Sequence, residues 1–145
     1  MYSLLSVPLL LGMDFRRINA PRHADLRALL QNPEILAISQ DALSEQGRRL
    51  RSTPAQNSTL EVWSKHLTDG AIAVVLFSHC RKPVCSGAHT VNATLAELGI
   101  ASWPGVSVRD LINRRAAPPA EPARAAVSAV LGCDQVALFK LTKTA

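Results

Sequence analysis

The strongest constraint on the fold is a run of seven apolar residues, AIAVVLF at 71–77, that directly follows an Asp69-Gly70 dipeptide. A strand that is apolar at every position is buried on both faces. Asp-Gly between two apolar stretches is a strong signal for a β-hairpin. Residues 60–67 supply the first strand of that hairpin. The sequence therefore predicts a hairpin whose second strand lies in the centre of a sheet.

Four further stretches have the pattern of short strands. Residues 91–95 alternate between apolar and polar side chains, which is typical of a strand with one solvent-exposed face. Residues 106–111, 124–131 and 136–141 complete a set of about six. Strands of this length and spacing predict an antiparallel sandwich. The composition of residues 52–58, STPAQNS, predicts a loop or linker, and the Pro-rich residues 116–122 predict a surface loop.

The first fifty residues have an α/β pattern instead. The short apolar run at 8–11 predicts a buried strand, which Gly12 ends. Residues 23–31 place three leucines on one face of a helix. Asn32 and Pro33 then have the types expected at the N-cap and first position of a second helix, which ends by Gly47 at the latest.

Charge and hydropathy exclude two classes of protein. The 16 Lys and Arg outnumber the 11 Asp and Glu, but they are spread along the chain, and aromatic residues make up only 4%. This argues against a nucleic-acid partner, which needs a basic patch or a stacking platform. The first eleven residues lack a basic segment and a cleavage pattern, so we do not expect them to act as a signal peptide. They are also too few to span a membrane.

Five segments in order resemble the C-terminal part of glycoside hydrolase family 27, the α-galactosidases and α-N-acetylgalactosaminidases. They are PLLLGMDFR at 8–16, NPEILAISQDALSEQG at 32–47, EVWSKHLTDGAIAVVLFS at 61–78, SVRDL at 107–111 and the closing strand. Three positions depart from the family's usual residues: Ser39 stands in place of Asn, Ala42 in place of Pro and Ile112 in place of Trp. The resemblance nevertheless covers nearly the whole chain.

The resemblance implies a specific domain organisation. Residues 1–51 would be the last βα unit of a catalytic (β/α)8 TIM barrel, and residues 52–145 an all-β antiparallel β-sandwich domain. Because strands of the sandwich can pair among themselves, we expect residues 58–145 to fold without the first fifty.

The resemblance also implies a function. The family's retaining glycosidases release terminal α-linked galactose with two carboxylates, which lie on earlier barrel strands, so this chain would hold no catalytic residue and need no cofactor. It implies α-galactoside substrates, a secreted, lysosomal or vacuolar full-length protein, and a possible homodimer. The alternative is a non-catalytic sandwich, either a structural or a carbohydrate-binding module.

Several residues are candidates for a site. Asp14 and Arg16 follow the predicted barrel strand, where they would either orient groups around the sugar pocket or form a structural charge pair beneath it. Gln40-Asp41 is interpreted as a capping or packing feature rather than a sugar ligand. Trp63 is either a stacking platform for a sugar or a packed core residue.

The cysteines allow three interpretations. Cys80 and Cys85 enclose a four-residue loop that suits a disulfide in an oxidising compartment. They could instead be thiols, or join His79 and His89 in a zinc site, although the remaining pattern of a zinc module is absent and no metal is expected. Cys133 is predicted to be a small buried side chain beside the last strand.

Two Asn-x-Ser/Thr triplets, at Asn57 and Asn92, are candidate N-glycosylation sites.

Overall fold

The computed structural model describes residues 2–6, 20–80, 87–117 and 126–145. Two 3-10 turns, Tyr2–Leu5 and Pro21–His23, and two helices precede the strands. The helices are α1 (Ala24–Leu30) and α2 (Pro33–Ser39). The strands are β1 (Arg48–Ala55), β2 (Ser58–His66), β3 (Ile72–Cys80), β4 (His89–Thr94), β5 (Gly105–Asp110), β6 (Arg115–Ala116), β7 (Ala126–Leu131) and β8 (Gln135–Thr144).

The strands form two sheets that face each other. The larger sheet has six strands in the order β1-β2-β3-β8-β5-β6, and the smaller has β4 beside β7. Every recorded strand pair is antiparallel. The predicted antiparallel β-sandwich is therefore confirmed.

The β2–β3 hairpin forms as predicted. Its strands pair without interruption from Ser58 opposite Cys80 to His66 opposite Ile72. Gly70 takes a φ of 76° in the turn, a conformation that suits glycine because it has no Cβ. The Asp69 carboxylate accepts a hydrogen bond of 3.0 Å from the Ala71 amide, which fixes the turn.

Both faces of β3 are buried, which explains its continuous apolar run. One face of β3 packs against the smaller sheet. The other face packs, through Leu4 and Ile38, against the described residues that precede β1 (2–6 and 20–47), which we call the N-terminal segment. We call the apolar side chains packed on the first face the inner cluster and those packed on the second face the outer cluster. The inner cluster includes Ile72, Val74, Leu76, Val91, Val127 and Leu141. The outer cluster includes Leu67, Ala73, Val75, Leu111 and Leu138.

The prediction of a loop or linker at residues 52–58 is wrong except for the turn at residues 56 and 57. Residues 52–55 belong to β1, which pairs with β2 along its length, and residues 56 and 57 form the turn between them. Almost all side chains of β1 are exposed, because β1 is an edge strand. Ser, Thr and Pro are tolerated in an exposed edge strand, so the composition of residues 52–58 resembles that of a linker. The boundary expected between residues 51 and 52 falls inside this strand.

The N-terminal segment contains the two predicted helices. Leu26 and Leu29, expected on a buried face of α1, are 37% and 42% exposed. The predicted strand at residues 8–11 lies outside the described residues, as do Asp14 and Arg16. Among the helices that the structure describes, none has the length and apolar character to cross a bilayer.

Candidate functional site

A set of polar contacts joins α2 and the loop after it to one end of the larger sheet; we call this region the junction. Glu34, in the first turn of α2, accepts two hydrogen bonds from Arg109 of β5, 2.8 Å from Nε and 2.9 Å from Nη2. Such a bidentate pair fixes the relative orientation of the two side chains as well as their distance. The hydrogen bond from Arg109 holds the pKa of Glu34 below its usual value.

Asn32 serves two elements of the junction at once. Its side-chain oxygen accepts hydrogen bonds from the amides of Glu34 (3.0 Å) and Ile35 (3.4 Å), which confirms the predicted N-cap. Its side-chain nitrogen donates to the carbonyl of Leu111, 2.8 Å away. The side chain is 1% exposed, so water cannot replace these bonds.

Asp41 holds the loop after α2 against the β2–β3 turn. Its carboxylate accepts hydrogen bonds from the Thr68 amide at 3.0 Å, the Thr68 hydroxyl at 2.9 Å and the Leu43 amide at 3.1 Å. Partial burial acts to raise the pKa of Asp41, but these hydrogen bonds together outweigh it and leave the pKa below its usual value. The packing role predicted for Asp41 is confirmed.

Lys65 is the most deeply buried charge at the junction, at 1% exposed. Its ammonium group donates to the Ser6 hydroxyl, 2.7 Å away, and to the Ile38 carbonyl. Burial lowers the pKa of Lys65, and the charges of Asp41 and Glu45 oppose that effect. The lysine thus ties β2 to both pieces of the N-terminal segment.

A cavity of about 410 Å³ lies at the junction, lined by Glu34, Asp41, Asp69 and Lys140 among others. Asp69 forms an ion pair of 2.6 Å with Lys140, and the hydrogen bond from Lys140 lowers the pKa of Asp69. All three carboxyl groups are therefore favoured in their ionised form. A glycosidase needs one carboxyl group with a raised pKa as its acid, so these groups are suited to holding the segment in place rather than to proton transfer.

The double role of Asn32 leads to a prediction. Asn32→Ala should lower the free energy of unfolding by about 2–3 kcal/mol, because a helix cap is lost and the buried Leu111 carbonyl loses its donor. Urea denaturation would measure the change. Gln31→Ala, at the exposed neighbouring position, is the matched control. Equal midpoints for the two variants would contradict the proposed role.

The carboxylates of the junction also predict a dependence on pH. The pKa values of Glu34, Asp41 and Asp69 are lower in the folded protein than is usual for these side chains. Their stabilisation is therefore fully present above the unfolded pKa values, at roughly pH 4, and is lost as the pH falls through the lowered folded values. The urea midpoint should fall steeply below pH 4, and Glu34→Gln should make that fall shallower. If the urea midpoints of the unsubstituted protein and of Glu34→Gln fall equally below pH 4, Glu34 does not contribute to the pH dependence.

Trp63 lies on the face of β2 that carries the outer cluster and packs against it, as the packing interpretation predicts. Its indole is only partly buried. The ring nitrogen donates to Glu61, 2.8 Å away, and the guanidinium carbon of Arg49 lies 5.8 Å from the ring centroid. Arg49 and Glu61 also pair with each other at 3.0 Å. The indole is therefore fixed in orientation with part of its surface open.

The two histidines of the zinc alternative contact other groups. His79 lies 3.3 Å from Asp134, and His89 lies 3.2 Å from the Ser58 hydroxyl. Cys80 is buried at the end of β3, whereas Cys85 lies outside the described residues. The prediction that Cys133 is buried is wrong: it is exposed, because β7 ends at Leu131 and Cys133 belongs to the following turn.

Both candidate glycosylation residues are exposed. Asn57 lies in the turn between β1 and β2, at the tip of that hairpin. Asn92 lies within β4, where its backbone carbonyl and its side-chain oxygen both accept hydrogen bonds from Arg51. Asn57 is thus presented on a turn and Asn92 on a paired strand.

The pairings at the junction were not foreseen from the sequence. Asn32 and Leu111 are 79 positions apart, and Glu34 and Arg109 are 75 apart. The only local signal was the N-cap pattern at Asn32, which says nothing of a second partner. A lysine between two packed apolar residues on one face of a strand, as Lys65 lies between Trp63 and Leu67, is a weak hint that a buried acceptor lies opposite.

Comparisons with known proteins agree with this architecture. The family model described as the alpha galactosidase C-terminal beta sandwich domain matches residues 57–141. Alpha-galactosidase 3 of Arabidopsis thaliana is 34% identical over 110 residues, 76% of this chain and 23% of its own length. Alpha-N-acetylgalactosaminidase of Homo sapiens is 40% identical over 81 residues, 56% of this chain and 18% of its own.

A solved structure shares the fold. The alpha-galactosidase from Saccharomyces cerevisiae with raffinose superposes with a TM-score of 0.73 over 99% of this chain and 42% of its own, at 15% identity. At that identity the likeness concerns the fold alone. The chain spans about a quarter of the length of the curated relatives it matches.

Proposed function

Because the chain belongs to glycoside hydrolase family 27, of which it carries the C-terminal β-sandwich domain, we propose that it is the C-terminal part of an α-galactosidase-like retaining hydrolase. The parent enzyme would release terminal α-linked galactose from oligosaccharides, glycolipids or glycoproteins. The observation that carries this proposal is the family match over residues 57–141. The catalytic carboxylates would lie upstream of this chain, on earlier strands of the barrel.

The state of the acidic residues supports a non-catalytic role for this part. The carboxylates at the junction bind Arg109, Thr68 and Lys140, and their pKa values are lowered. In the part of the chain that the structure describes, Asp110 is likewise engaged, accepting a bond of 2.7 Å from the Asn113 side chain. We therefore propose that the domain supports the barrel rather than acting on sugar.

Two experiments test the proposal. The purified chain should not hydrolyse a nitrophenyl α-galactoside above background, and turnover that persists after removal of contaminating enzymes would contradict it. Sequencing of the complete transcript tests the parent enzyme. Upstream coding sequence for the missing barrel units and a pair of aspartates would support the proposal, and a transcript without them would overturn it.

Further features belong to the same proposal. Residues 1–51 would contribute the last βα unit of the barrel, and Asp14 and Arg16 would lie near its sugar pocket, as the resemblance implies. The full-length protein would be secreted, lysosomal or vacuolar, and would form a homodimer. Exposure of the turn supports Asn57 as a glycosylation site, with Asn92 as the second. Cys80 and Cys85 would form a disulfide across their four-residue loop.

The alternative is a carbohydrate-binding or structural module without a catalytic parent. The observation in its favour is the partly open indole of Trp63, fixed by Glu61 and Arg49. Galactose or melibiose should then change the tryptophan fluorescence of the chain in a saturable way, and Trp63→Ala should abolish the change. An unchanged spectrum at high sugar concentration would remove the carbohydrate-binding form of this alternative.

A further inference from the structure

Three groups converge at the end of β3 that is farthest from the junction. The sulfur atoms of Cys80 and Cys133 and a carboxylate oxygen of Asp134 all lie within 4.8 Å of one another. Cys80 belongs to β3, whereas Cys133 and Asp134 belong to the turn between β7 and β8. Residues that are 53 positions apart in sequence thus bring two sulfur atoms close together.

Asp134 fixes the approach of the two segments. Its carboxylate accepts a hydrogen bond of 2.9 Å from the Cys80 amide and lies 3.3 Å from the Nδ1 atom of His79. The Cys133 sulfur lies 3.8 Å from the second oxygen of the same carboxylate. Cys133 is exposed and Cys80 is 6% exposed, so a reagent from solvent reaches Cys133 more easily.

We propose that Cys133 is a second disulfide partner for Cys80, which makes this end of the sandwich a site of thiol–disulfide exchange. The inference rests on the proposed oxidation of Cys80 with Cys85. The Cys133 thiolate attacks the Cys80 sulfur, a Cys80–Cys133 bond forms, the Cys80–Cys85 bond breaks, and Cys85 leaves as a thiolate that takes up a proton. The number of disulfides is unchanged, so no oxidant is consumed.

The exchange has a structural consequence. A Cys80–Cys85 bond closes only a short loop, whereas a Cys80–Cys133 bond would join the end of β3 to the β7–β8 turn. It would thereby add a covalent link between distant parts of the sandwich. Chain entropy alone favours the short loop by on the order of tenfold or more, so the long-range bond needs the folded geometry to form.

Tryptic peptides distinguish the two bonds. Cleavage after Lys65, Arg81, Arg109, Arg124 and Lys140 places the three cysteines in separate peptides, 66–81, 82–109 and 125–140. The folded chain is equilibrated in mixtures of reduced and oxidised glutathione, quenched in acid, alkylated and analysed by mass spectrometry without reduction. We expect both linked pairs, 66–81 with 82–109 and 66–81 with 125–140.

The Cys85→Ser variant isolates the new bond. In oxidised glutathione it should form the 66–81 with 125–140 pair as its main oxidised product, and that product should fall at least about tenfold when the same reaction is run in urea. Cys133→Ser, at an exposed turn position, is the matched control and should retain only the 66–81 with 82–109 pair.

The outcomes separate the two proposals. Folded Cys85→Ser that yields only glutathione adducts would overturn the inference, as would equal amounts of the long-range pair in the folded and unfolded chain. If the wild-type chain lacks the 66–81 with 82–109 pair, the proposed Cys80–Cys85 bond fails instead. The Cys85→Ser reaction then decides alone whether Cys80 and Cys133 pair.

Discussion

Val75→Asp should unfold the domain, whereas an aspartate on the solvent-exposed face of β4 should change the stability of the domain little. Val75 is fully buried in β3, between β2 and β8, and its side chain belongs to the outer cluster. A carboxylate there must give up its hydration or take up a proton, and either costs several kcal/mol. A domain of this size is stable by only about 5–15 kcal/mol.

Two exposed threonines of β4 supply the comparison. Thr94→Asp should cost about 0.5 kcal/mol or less, because the Thr94 hydroxyl accepts a hydrogen bond of 3.0 Å from the Glu97 amide and an aspartate can accept the same bond. Thr90→Asp, at another exposed position of β4, is a second control. Chemical denaturation of the complete chain measures all three. A Val75→Asp midpoint close to that of the threonine variants would mean that the face of β3 that carries the outer cluster is not buried.

The parts of the fold that the sequence predicts are those coded by short-range patterns. The β2–β3 hairpin follows from Asp69-Gly70 and a continuous apolar run, and α2 follows from Asn32 and Pro33. The alternating pattern of residues 91–95 likewise places Val91 and Ala93 in the inner cluster. In each case neighbouring residues alone carry the information.

The parts that were missed depend on distant residues. Residues 52–55 read as a linker because nothing in their composition shows that β2 offers them a partner strand. Cys133 appeared apolar in its local context, yet the turn after Leu131 leaves it at the surface. Of the candidate site residues, Cys80, Asn57 and Asn92 are described, whereas Asp14, Arg16 and Cys85 are not.

The junction shows the same limit for function. Sequence reasoning placed Asp41 in a packing role, but the contacts of Lys65 and of the Glu34–Arg109 pair need the complete fold to bring them together. These contacts bear on the expectation that residues 58–145 fold alone. The N-terminal segment does not merely precede the sandwich, because it covers the outer cluster and supplies the acceptors for a buried ammonium group.

The structure therefore leads to a different expectation for the shortened chain. A fragment of residues 58–145 should fail to fold stably. It lacks β1 and the two buried residues, Leu4 and Ile38, that cover the outer cluster. Exposing large side chains such as Val75, Leu111 and Leu138 costs about 1.5–3 kcal/mol each, which together reaches the lower end of the stability of a domain.

A longer fragment tests whether loss of the N-terminal segment causes the expected instability of residues 58–145. Residues 32–145 keep Asn32, Glu34, Ile38 and β1, so this fragment should fold, though with a free energy of unfolding about 2–4 kcal/mol below that of the complete chain. The loss reflects the absence of the fully buried Leu4, whose carbonyl also accepts a hydrogen bond of 2.6 Å from the Gly47 amide. Circular dichroism, size-exclusion chromatography and urea denaturation would compare the three proteins. If residues 58–145 unfold cooperatively at the midpoint of the complete chain, the sandwich is independent, and the junction contributes nothing to its stability.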